Sequence, residues 1–154
     1  MQDVYIRGIS TVLPNAAITN DDMEAVLGQI GERPARERRI VLARNGIQSR
    51  YYAVDPDTRQ PTASNAALCA EAVRGLQGDA FTLPELDVLA CGTSSPDQIA
   101  PGHGVMVHGE LPEAGVCEAV SLAGICCAGM AAVRLSRRHI GRRRRIERRR
   151  RQNT

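Results

Sequence analysis

Residues 124 to 133, "GICCAGMAAV", set two adjacent thiols, Cys126 and Cys127, ahead of a small, apolar, helix-favouring run. A cysteine at a helix start has chemical meaning. Backbone N–H groups there lack intrahelical partners, and the positive end of the helix dipole favours a thiolate. The same N–H groups can hold an oxyanion during acyl transfer. Ala128 and Gly129, with almost no side chain, leave room for a thioester or a phosphopantetheine arm to approach. Against this, free cysteines are among the most buried residue types and behave as small hydrophobes. The local string leaves both readings open.

The other chemically capable residues form no obvious constellation. His103 and His108 are five positions apart, so on a helix of ~3.6 residues per turn they point about 140° from each other. They also lack the HExxH spacing of a zinc protease, and the expectation is two ordinary surface or interface histidines. His139 lies among arginines and is expected to be solvated. Cys69, Cys91, Cys117, Cys126 and Cys127 make neither an even disulfide framework nor a paired CxxC metal pattern. No metal and no cofactor are expected. With no N-terminal apolar signal segment and no apolar run near 20 residues, the chain reads as cytoplasmic, with reduced thiols and no membrane partner.

The thiol turn needs a strand before it and a helix after it. "VCEAVSL", 116 to 122, reads as a buried strand, and a helix is predicted from Ala128. "LDVLACG", 86 to 92, bounded by Pro84 and Gly92, has the pattern of a strand buried on both faces. Residues 102 to 111 are expected to be helical despite three glycines. Residues 62 to 77 form the strongest helix pattern, with Ala63, Ala67, Ala70, Val73 and Leu76 on one face. Nearer the N-terminus, "VYIRGISTVLP", 4 to 14, reads as a strand ending at Pro14. Thr19 and Asp22 have capping-box spacing ahead of Met23, Val26, Leu27 and Ile30. Pro34 can open a second helix with Arg36, Arg38 and Arg39 on its wet side, closed by Asn45-Gly46, and "IQSRYYAVD" follows as a strand or extended loop. Alternating strands and helices argue for an α/β layer structure with a mainly parallel sheet. With one Phe, three Tyr and no Trp in 154 residues, the core has to be built from Ala, Val, Leu and Ile.

Read end to end, residues 4 to 134 resemble the N-terminal half of the β-ketoacyl-ACP synthase III family, in the thiolase superfamily. "VYIRGISTVLP" resembles its opening strand, and "AITNDDMEAVL" its "VTNxDLE" entry into the first helix. "ARNGIQSRYYA" is similar to "RTGIxxRxxA", with Asn45 in place of Thr, and "PTASNAALCAEAV" to "ETASDLAxxAA". "LDVLACGTSSPDQIAPG" is similar to "IDxIIxATxTPDxxFPS", and "CAGM" stands where the family has "CSGF". The resemblance implies a thiolase-like half-fold, a mixed and mainly parallel sheet with layered helices. It implies Cys127 as the acyl-accepting nucleophile and Cys126 as a packing residue. The implied reaction is a Claisen condensation: an acyl group passes from coenzyme A or an acyl carrier protein to cysteine, malonyl-ACP decarboxylates, and the carbanion attacks the thioester. Some relatives instead form ester or amide bonds. The partners so implied are acyl-CoA or acyl-ACP, the carrier protein, and a second copy in a homodimer.

Two departures bear on substrate. Gln48 stands where many relatives carry Arg, so the resemblance does not carry a phosphate contact over to it, and Ala100 stands where a Phe is common, which by the resemblance implies an opened pocket wall at the dimer and room for a bulkier acyl chain. The family's catalytic His and Asn lie in its second half, and no residue here stands in for them. An incomplete fold of this kind would expose faces meant for the second half and the partner, which predicts aggregation.

Residues 135 to 154, "LSRRHIGRRRRIERRRRQNT", are a different composition. They carry 10 arginines against Glu147 alone, whereas residues 1 to 134 carry 10 arginines against 16 acidic residues. The body, 1–134, is the thiolase-like domain; the tail, 135–154, with no burial-competent apolar face, is expected to be disordered or transiently helical. The tail has three readings: an arginine-rich nucleic-acid-binding segment acting without enzymatic chemistry, a solvated terminus, or a synthase gene read out of frame. The absence of Lys points to a GC-rich message, and the composition changes where the resemblance stops, which favours the third.

Overall fold

The computed structural model describes the backbone of residues 4–29 and 36–152, and their side chains except at 36, 37 and 142–152. The chain divides into two units, Met1–Thr11 with Asn65–Thr154, and Val12–Ser64.

In the first unit the two apolar runs become β3, Val88–Thr93, and β4, Glu118–Ala123, paired parallel with Leu89 opposite Ala119 and Cys91 opposite Ser121. A parallel pair needs a crossover connection, and it carries helix α4, His103–Gly109. Glycine makes this crossover close. A Cβ on Gly104 would lie 2.7 Å from the Val120 carbonyl oxygen, and the Gly104 N–H donates to Ser121 Oγ at 2.8 Å. Helix α3, Asn65–Arg74, starts where Asp97 accepts from the N–H groups of Asn65 (2.7 Å) and Ala66 (2.8 Å). That start fixes the buried stripe on Ala66 and Ala70, with Cys69 and Val73 beside it. The predicted stripe began at Ala63, which precedes the helix, and Leu76 lies past its end and is exposed.

Ala66, Ala70, Leu83, Leu89, Val107, Leu111 and Ala114 form the core of this unit, the thin, alanine-rich packing that the composition requires. Helix α5 runs from Ala128 to Gln152 and buries Ala128 and Ala132. Its backbone stays helical through the stretch whose composition predicts disorder; arginine is a good helix former, and the packed first turns supply the nucleus that an isolated peptide lacks. His139, expected to be solvated, pairs through Nδ1 with Glu118 at 3.1 Å.

Residues 4–14, predicted as a strand, form none. Their β-branched content satisfies a local preference, but strand formation also needs a partner edge. In the first unit this segment lies against the end of α3 instead, where Gly8 approaches Leu76 and Gly75 approaches Ser10.

The second unit holds β1, Ala17–Thr19, helix α1, Met23–Leu27, helix α2, Arg36–Asn45, and β2, Ser49–Tyr51. The strands pair antiparallel, Ala17 opposite Tyr51, so among the described residues the mainly parallel expectation holds for one of two separate two-stranded sheets. Thr19 Oγ1 donates to Asp22 Oδ2 at 2.6 Å ahead of α1, as the capping spacing suggests. Val26 is the buried residue of α1, while Ile30 and Pro34 lie outside the described residues. Arg38, expected on the wet side, reaches Glu24 at 2.6 Å with only a quarter of its side chain exposed. Asn15, at φ +57°, donates its amide to the Tyr52 and Val54 carbonyls and to Thr62 Oγ1, tying three points of this unit together.

Among the described residues, no helix is long and apolar enough to cross a membrane.

Candidate active site

β4 ends at Ala123, and α5 begins at Ala128 after four intervening residues. The chain turns through Gly124 (φ +152°) and Cys126 (φ +65°). Cys127 is the junction: its N–H donates to the Ile125 carbonyl at 2.8 Å, and its own carbonyl accepts from Ala131 N–H at 2.9 Å. The thiol therefore sits on the residue that opens the helix, where the N–H groups of the first turn have no intrahelical acceptor. Two glycines shape the place. A Cβ on Gly124 would stand 3.1 Å from Cys127 Sγ. One on Gly92 would stand 2.5 Å from the Ala128 carbonyl carbon and oxygen and 2.7 Å from Gly129 N, so only glycine at the end of β3 lets α5 start this close to the sheet.

Cys126 and Cys127 are both exposed. Exposure corrects the expectation that Cys126 packs. Its positive φ turns it out of the path from strand to helix, a backbone state uncommon outside glycine. Cys127 can meet a reagent from solvent.

The other three thiols differ. Burial pushes Cys91 up to about 11, with smaller repulsion from Cys69 and Cys117. Cys69 is raised by burial and then by the charge of Asp97, and Cys117 by burial. They are protonated core groups at neutral pH.

His103 is 3% exposed, which corrects its assignment to the surface. Its Nε2 lies 3.5 Å from Cys69 Sγ, and its Nδ1 has no hydrogen-bond partner. Gly102 and Gly104 flank it, and their lack of side chains lets α4 press residue 103 into the core; those neighbours were the available signal. His108 is half-buried, its Nε2 2.7 Å from the Gly115 carbonyl oxygen. The two rings thus serve separate local contacts. Among the described residues no group of three or more His, Cys, Asp and Glu side chains could hold a metal ion.

An open groove of about 760 Å³ runs beside α5, floored by Gly92 and Gly129 and walled by Tyr5, Ile6, Val133 and Ile140. Cys127 is not part of its lining. Ala100 and Gln48, the two departures expected to affect substrate, are both exposed.

No protein-family model matches the chain. It is 33% identical over 106 residues to the β-ketoacyl-[acyl-carrier-protein] synthase III of Rhizobium johnstonii, across 69% of this chain and 29% of that protein. The proteins of the same name from Xanthomonas axonopodis pv. citri and Xylella fastidiosa are 28% identical over 121 residues and 26% identical over 135 residues. They are covered at 79% of this chain and 33% of the first, and at 88% of this chain and 38% of the second. The chain thus spans about a third of the length of the curated relatives it matches. A solved tetronic acid condensing enzyme superposes with a TM-score of 0.69 at 24% identity, over 85% of this chain and 39% of that one. The fold is α/β and thiolase-like.

Proposed function

We propose, from the premise that this chain is a relative of the N-terminal half of the β-ketoacyl-[acyl-carrier-protein] synthase III proteins, that it carries the acyl-accepting step of a condensing acyltransferase on Cys127. One observation carries the reading: an exposed thiol stands on the residue that opens α5. The Cys127 sulfur attacks the carbonyl carbon of an acyl-CoA or acyl-ACP thioester. The tetrahedral oxyanion gathers N–H donors of the turn, the bond to the departing sulfur breaks, and the leaving thiolate takes up a proton while the acyl group stays on Cys127.

The second half of the cycle, decarboxylation of malonyl-ACP and attack of the carbanion on the acyl-cysteine, draws in relatives on a His and an Asn from their second half. This chain is assigned the acyl-loading step, in fatty-acid or polyketide-like biosynthesis. The partners under this reading are acyl-CoA, an acyl carrier protein and a second copy. Five free thiols fit a reducing, cytoplasmic setting.

Intact-mass measurement after mixing the purified chain with acetyl-CoA and longer acyl-CoAs tests the assignment. One acyl adduct is expected, labile to hydroxylamine, kept in Cys126→Ala and lost in Cys127→Ala. An adduct that survives Cys127→Ala, or moves to Cys126, overturns it.

A further inference from the structure

Cys126 has no place in the packing and none in acyl loading, yet it is exposed and covalently next to an exposed Cys127. Its backbone is also unusual. The Cys127 N–H donates to the Ile125 carbonyl at 2.8 Å across Cys126, which stands at φ +65°. A hydrogen bond that closes on two residues back, around a positive φ, is a γ-turn of the rare, strained hand. Glycine would adopt it at no steric cost, but the sequence places a second thiol there. Strain kept on a residue with a side chain clusters at functional sites.

The five thiols divide by what they can meet. Cys69, Cys91 and Cys117 are half-buried against the core of their unit, and Cys69 Sγ has the His103 ring 3.5 Å away. Cys126 and Cys127 face solvent. Neighbouring α-carbons across a trans peptide are about 3.8 Å apart. The usual span of a disulfide is about 4.4–6.8 Å, so a bond between these two carries strain, and a strained disulfide is easily reduced again. Adjacency also makes ring closure intramolecular, ahead of any encounter with a second chain.

We propose that Cys126 and Cys127 form a reversible oxidation site, a vicinal dithiol that a hydroperoxide converts to a disulfide. The Cys127 sulfur attacks one peroxide oxygen, the O–O bond breaks, and the departing alkoxide or hydroxide takes up the thiol proton, which leaves a sulfenic acid on Cys127. The Cys126 sulfur then attacks that sulfenic sulfur. The S–S bond forms, the S–O bond breaks, and hydroxide leaves with the Cys126 proton as water. The two thiols together lose two electrons, and the peroxide gains them. A dithiol reductant reverses the change by exchange through a mixed disulfide. With its sulfur in the disulfide, Cys127 has no thiolate to offer an acyl thioester, so oxidation blocks loading. That consequence rests on the acyl-loading reading above, whereas the disulfide itself does not.

The test treats the reduced full chain with a few-fold excess of hydrogen peroxide and alkylates the remaining thiols with iodoacetamide. Cleavage after Glu118 and Arg134 then releases residues 119–134, which hold Cys126 and Cys127 and no other cysteine. The expected peptide is lighter by two hydrogens and carries no alkyl group, and dithiothreitol before alkylation restores both sites of labelling. In parallel, oxidation should abolish acyl loading from acetyl-CoA, and dithiothreitol should return it. Cys126→Ser should lose this recovery, because its Cys127 runs on to a sulfinic acid that dithiothreitol does not reduce. A peptide in which either sulfur still takes the label, a cross-link to another cysteine or to a second chain, or full recovery by Cys126→Ser overturns the proposal. A chain that forms the disulfide yet never loads an acyl group when reduced supports the oxidation site and refutes acyl loading.

Discussion

Burial separates the five thiols into two chemical groups. Cys126 and Cys127 are exposed, while Cys69, Cys91 and Cys117 pack against the core of the larger unit. A thiol raised from 9.0 to about 11, as at Cys91, has a thiolate fraction at neutral pH roughly a hundredfold below that of an ordinary cysteine. Alkylation with iodoacetamide at pH 7.5, followed by peptide mapping, should therefore label Cys126 and Cys127 first and Cys91 last. The sign is fixed: a raised thiol gains reactivity only as pH climbs toward its shifted value, so Cys91 labelling should rise above about pH 9 and keep rising to 11. Rapid labelling of Cys91 at pH 7.5 would contradict its burial. The same distinction shows how far the sequence carries the site. A helix opening at Ala128 could be read from the small residues after Cys127, and it is there. The exposure of Cys126 could not, because it follows from a positive φ that no side-chain pattern announces. Nor could the burial of His103, since spacing compares residues on one helix and the contact runs to Cys69 on another.

Among the elements, the junction of β3 with α5 is the most constrained. Gly92→Ala drives a methyl group into the Ala128 carbonyl, a backbone obstacle that cannot rotate away. Overpacking of this kind costs about 1–3 kcal/mol, and the strand or the helix start must shift to relieve it. Urea denaturation should show the loss, and acyl loading of Cys127 should fall with it. Gly129→Ala is the contrast: nothing outside the helix lies within 4 Å of its Cβ, and replacing a helical glycine should stabilise by about 0.5–1 kcal/mol. Equal destabilisation by both would remove the special status of Gly92. Elements with a strong one-dimensional signature, β3, β4, α3 and α4, were legible to within a few residues, whereas residues 4–14 were misread because strand pairing is decided by what lies opposite. The stripe of α3 was shifted because Asp97, 32 residues away from Asn65, sets where that helix begins.

At the scale of the whole molecule, apolar exposure and charge are both unevenly spread. In the larger unit Ile9, Ile99, Val116 and Ile125 are 84%, 97%, 101% and 80% exposed. Scattered single apolar residues are ordinary, but this many on a unit with so thin a core predicts self-association of the isolated chain. Size-exclusion chromatography with light scattering should find concentration-dependent oligomers; a monodisperse monomer that melts cooperatively would refute the expectation. The order of the two units along the chain has a further effect. Residues 1–11 belong with residues 65–154, so during synthesis that segment emerges before the residues it is grouped with. At about 5–20 residues per second, synthesis of the intervening stretch holds that opening segment unclaimed for roughly 3–10 s, time in which chaperones rather than its own core must shield Tyr5, Ile6 and Ile9.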